Sequence, residues 1–97
     1  MHFGEFRARK RPRPEAFTPA QEDQMMKAIS ANARKKWKFG ERSMVNGTRG
    51  NMLPDCTRNE REINVDYMIA CKKLRRVQAT GSTGDPYDVL VPRTGAQ

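Results

Sequence analysis

Residues 57–80 read TRNEREINVDYMIACKKLRRVQAT, and the fold turns on how far a helix runs through them. Thr57-Arg58-Asn59-Glu60 is a capping box. The threonine hydroxyl serves an orphaned N–H of the first turn, and the glutamate three residues on reaches back to the cap. Glu60 and Glu62 put negative charge in the early turns, where the helix dipole favours it. Ile63, Tyr67, Ala70, Leu74 and Val77 then step by 4, 3, 4 and 3, the spacing of a helix–helix seam. Lys72, Lys73, Arg75 and Arg76 gather toward the end, and the next glycine is Gly81. The pattern predicts one helix over about 57–80.

The same design stands upstream. Thr18 and Gln21 form a second capping box, with Pro19 at the first helical position and Glu22 and Asp23 behind it. Met25, Met26, Ile29, Ala33 and Trp37 make an apolar stripe, Arg34, Lys35, Lys36 and Lys38 crowd the last turns, and Gly40 is a natural stop. A helix over about 18–39 follows. The expected packing residues are Met26, Ile29, Ala33 and Trp37 on this helix, and Ile63, Tyr67, Ala70, Leu74 and Val77 on the other. The linker 43–56 carries turn chemistry at Asn46-Gly47, Gly50-Asn51 and Leu53-Pro54. Arg49, between Gly47 and Gly50, is placed to meet a phosphate, although a plain turn uses the same residues.

Residues 7–14, RARKRPRP, hold Arg7, Arg9, Lys10, Arg11 and Arg13, too many cations for any packed core. Pro12 and Pro14 push their predecessors toward extended geometry. Residues 1–17 therefore read as an extended basic arm punctuated by Phe3, Phe6 and Phe17. Residues 82–97 read as an irregular extended tail, in which Tyr87 to Val91 could add one short strand to a partner's sheet edge before Pro92 ends it. The organisation is an arm, a two-helix segment over 18–81 with its linker, and a tail.

Leu, Ile, Val and Phe number only fifteen of 97 residues, while six methionines add soft apolar surface. That scarcity, with the high net charge, predicts a mainly α chain with little independent core. Such a chain would show partial helicity and no cooperative melt until a partner ordered it.

The net charge is +8, which points to an anionic partner. The arm, 18–42 and 57–81 each carry +3, the linker is neutral and the tail is −1. One or two cations suffice to complement a helix dipole. Four within five positions, twice, imply repulsion that phosphates relieve by releasing condensed counterions. The candidate RNA-binding residues are Arg7, Arg9, Lys10, Arg11, Arg13, Arg34, Lys35, Lys36, Lys38, Arg49, Lys72, Lys73, Arg75 and Arg76.

Other functions find no residues to carry them. The single histidine, His2, lies in the arm, Glu60 and Glu62 fall on different helix faces, and no glycine-rich loop precedes a Lys-Ser or Lys-Thr. The chain is read as no enzyme, with no cofactor and no small-molecule substrate. Cys56 and Cys71 lack the paired spacing of a zinc site and are read as free thiols of an intracellular protein. The apolar run Tyr67 to Cys71 is far too short to span a membrane. Glu5, Glu15 and the prolines spoil a mitochondrial presequence, leaving cytoplasm and mitochondrion both open.

The long inter-helix loop does not suit a helix-turn-helix. An arm, two short basic helices and a tail resemble the general build of small ribosomal proteins, a likeness of style with no motif behind it. The expected function is a small structural subunit of a ribonucleoprotein, a ribosome first, binding rRNA and neighbouring proteins. Two alternatives stand beside it. One is an assembly protein stapling an acidic filament or virion surface, the other a small DNA-associated regulatory protein.

Overall fold

The computed structural model describes residues 12–50 and 52–93. Three helices, α1 (Pro19–Ala33), α2 (Glu41–Asn46) and α3 (Arg58–Ala70), precede two antiparallel strands, β1 (Leu74–Thr80) and β2 (Pro86–Pro92). The architecture is mixed α/β around a closed core. The expectation of a mainly α chain of two long helices with little core is therefore corrected.

The starts of α1 and α3 follow from their capping boxes. Gln21 N–H donates to Thr18 Oγ1 at 3.2 Å and Thr18 N–H to Gln21 Oε1 at 2.9 Å. Thr57 and Glu60 repeat the exchange at 3.1 and 2.8 Å. The helix ends are what differ. The helix expected to 80 stops at Ala70 because Lys72 takes a left-handed conformation, φ 63°. Lys72 N–H then donates to Ile69 O and Lys73 N–H to Met68 O, both at 2.9 Å, closing the last turn as a glycine ordinarily would.

Freed from the helix, Leu74 opens β1. That strand pairs with β2 residue for residue, from Leu74 opposite Pro92 to Thr80 opposite Pro86. The stretch expected to join a partner's sheet thus pairs with its own chain. The connection is a tight turn in which Gly84 N–H donates to Gly81 O and Gly81 N–H to Asp85 O, both at 2.9 Å. Gly84 sits at φ 91°, a conformation that suits glycine.

Methionine makes up for the missing aliphatics. Met25, Met44, Met52 and Met68 are fully buried with Ile29, Val65, Leu74 and Leu90. The stretch read as a linker contributes most of α2 and the buried Met44, Val45, Met52, Leu53 and Cys56. Phe17, at the root of the arm, is buried against Tyr67, ring edge to face at 5.9 Å. The expected seam is divided. Ile29, Tyr67 and Leu74 are buried, Met26, Ala33 and Val77 half-buried, and Trp37, Ile63 and Ala70 exposed.

Candidate nucleic-acid interface

The first helix was expected to reach residue 39, with Trp37 on its buried stripe. It ends at Ala33 instead, and Asn32 is the reason. Buried Asn32 donates Nδ2–H to Phe39 O at 2.9 Å, and Phe39 N–H donates to Asn32 Oδ1 at 2.8 Å. One side-chain amide thus satisfies both backbone groups of a residue seven positions on, and the chain between them is forced out as a turn. Trp37, in that turn, is 71% exposed.

The turn is held from its far side as well. Lys38 Nζ donates to Lys35 O at 2.8 Å, and the Tyr87 hydroxyl of β2 donates to Lys38 O at 3.0 Å. A Cβ on Gly40 would lie 3.0 Å from the Tyr87 ring, so glycine lets the chain pass this close to β2. Lys35 Nζ stands 4.8 Å from the Phe39 ring centroid and Lys36 Nζ 6.0 Å from that of Trp37. The result is an exposed indole in a braced turn bearing Arg34, Lys35, Lys36 and Lys38.

Several other cations are engaged internally. Arg13 lies 2.8 Å from Glu22 and stacks 5.7 Å from the ring centroids of both Phe17 and Tyr67. Lys73 meets the same Glu22 at 2.7 Å. Arg76 binds both oxygens of Glu41, at 2.7 and 3.1 Å, and reaches Asp66 at 3.2 Å. Arg13, Lys73 and Arg76, expected on phosphates, thus bind the protein's own carboxylates. Arg34, Lys35, Lys36, Lys38, Arg49, Lys72 and Arg75 meet no carboxylate among the described residues. The same holds for Arg42, which the sequence did not single out. Arg7, Arg9, Lys10 and Arg11 lie outside the described residues.

The electrostatics agree with this division. The hydrogen bond from Lys73 holds the Glu22 carboxyl below its ordinary pKa, against the opposing effect of burial and with help from Arg13. Glu41 holds Arg76 firmly protonated. Burial pushes the Cys56 thiol up, which makes it a poor nucleophile. Among the described residues no cluster of three His, Cys, Asp or Glu could hold a metal, and no helix is long and apolar enough to cross a membrane.

Beside the Trp37 turn lies an open, polar groove of about 1060 Å³, lined from the turn, α2, the start of α3 and both strands. No protein-family model, curated protein or solved structure matches this chain.

Proposed function

We propose that the protein binds unpaired RNA as a small structural subunit of an intracellular ribonucleoprotein assembly. The observation that carries this is the 71% exposure of Trp37 within a turn bearing four cations. In a chain so short of apolar residues, an indole left in water is a large forfeited burial, since a tryptophan can remove roughly 150–250 Å² from solvent. A base stacked on it recovers part of that, about 1–3 kcal/mol, while the surrounding Lys and Arg meet the flanking phosphates. Base faces are accessible in single strands, loops and bulges, and hidden in a duplex. The arm, with four more cations before residue 12, adds sequence-independent attraction.

Duplex DNA is the weaker partner on charge. A helix followed directly by a hairpin is an order that could seat α3 in a groove. However, exposed α3 positions include Glu62 and Asp66, and the hairpin turn 81–85 carries Asp85 and no cation. With two arginines against three carboxylates, α3 offers a duplex no net positive charge.

Affinity for single-stranded RNA, duplex DNA and an acidic protein, each across a salt series, tests the proposal. RNA is expected to bind tightest, with a log–log salt slope of about −0.7 per phosphate contacted. Tighter binding to the acidic protein at every salt concentration would favour the assembly alternative.

A further inference from the structure

The turn that presents Trp37 runs directly into the groove. Lys38 lines it, and so do Gly40 and Tyr87, the two residues packed against each other where the turn meets β2. The Tyr87 hydroxyl donates to Lys38 O, and one edge of its ring passes close to Gly40. Half-buried, Tyr87 adds an aromatic ring to the lining of the polar groove.

The groove holds five cations and three carboxylates, Glu41, Glu62 and Asp88, leaving a net charge of +2. Arg76 is taken up by Glu41, and Arg58 by Glu62 at 3.0 Å. Arg42 and Arg49 are exposed and meet no carboxylate among the described residues. A site for a small molecule would be enclosed and mostly apolar. This one is open and charged, and its lining begins at Lys38, the residue next to the exposed Trp37 in the chain. Aromatic surfaces set among cations along an open channel suit a strand that alternates bases with phosphates.

We infer that the groove is the second half of the RNA site: Arg42 and Arg49 bind phosphates of the same unpaired strand whose base stacks on Trp37, and Tyr87 offers a further stacking face. The inference rests on the RNA reading above. It makes Arg42 a ligand and gives Arg49 a place beside α2.

The test uses the full chain and uridine oligonucleotides, one short enough to cover the Trp37 turn alone and one long enough to enter the groove. The wild type is expected to bind the longer oligonucleotide more tightly. In the Arg42→Gln/Arg49→Gln variant that gain should disappear, and the salt slope for the longer oligonucleotide should flatten by about 1.4, or 0.7 per lost contact. Both arginines are exposed, so the fold should persist, which circular dichroism checks. If Trp37→Ala weakens binding while the double variant keeps the wild-type length gain and slope, the groove inference is overturned and the RNA reading stands. If the wild type binds neither oligonucleotide, the RNA reading itself fails. If polyglutamate binds the wild type more tightly than the longer oligonucleotide does, and loses that advantage in the double variant, the groove belongs to an acidic protein partner.

Discussion

Asn32 and Phe39 exchange two hydrogen bonds, amide to carbonyl at 2.9 Å and backbone N–H to amide oxygen at 2.8 Å. A buried side chain here acts as a backbone partner, and the five-residue turn 34–38 lies between α1 and the residue it clasps. Leaving the Phe39 groups without partners should cost about 1–3 kcal/mol each. Asn32→Leu is therefore expected to lower unfolding free energy by several kcal/mol in a urea titration. It should weaken RNA binding as well, through loss of the turn's geometry.

Glu22 joins the root of the arm to the start of β1, through Arg13 at 2.8 Å and Lys73 at 2.7 Å. Its folded carboxyl is a stronger acid than the ordinary value of 4.5. Between the folded value and 4.5 the unfolded chain binds more protons, so stability is fully present above 4.5 and declines as pH falls through the folded value. Glu22→Gln should lower stability at neutral pH and flatten this acid limb. Parallel melting curves of the two proteins across the acid range would count against the pairing.

The closed core implies a cooperative melt in isolation, contrary to the composition-based expectation. Leu74→Asp should abolish it, because a carboxylate at this fully buried position costs several kcal/mol. Asp66→Ala removes an exposed contact to Arg76 at 3.2 Å and should cost about 1 kcal/mol or less. Calorimetry on both variants distinguishes them. Equal melting temperatures would contradict the burial of Leu74.

Lys72 stands at φ 63°, where a side chain is strained. Lys72→Gly should stabilise the fold by about 1 kcal/mol. A destabilised Lys72→Gly protein would mean that its side chain makes contacts that outweigh the strain.

The starts of α1 and α3 were legible in the sequence and their ends were not. Thr18 with Gln21 and Thr57 with Glu60 are local devices, complete within four residues, and both helices begin on them. Lys72 and Asn32 are stop signals of another kind. A lysine carries no mark of left-handed backbone, and the asparagine acts only because Phe39 returns to it. Leu74 and Val77 fit a heptad seam as well as they fit a strand. Pairing with β2 decided between them, and that contact is set by residues 86–92. In the candidate site the cationic cluster at 34–38 was visible, since it is contiguous. The exposure of Trp37 was not, because the apolar spacing placed it on a buried stripe. The engagement of Arg13, Lys73 and Arg76 was hidden too, since Glu22 and Glu41 lie far from Lys73 and Arg76 in the chain.

Trp37 is the chain's single tryptophan, so its fluorescence reports on the centre of the proposed site and nowhere else. Titration with a single-stranded uridine oligonucleotide at low salt should quench the emission, and the apparent affinity should fall as salt rises. Trp37→Ala, followed by anisotropy of a labelled oligonucleotide, should lose about 1–3 kcal/mol of binding. Emission unchanged at saturating RNA, together with wild-type affinity in Trp37→Ala, would contradict the stacking role and the function built on it.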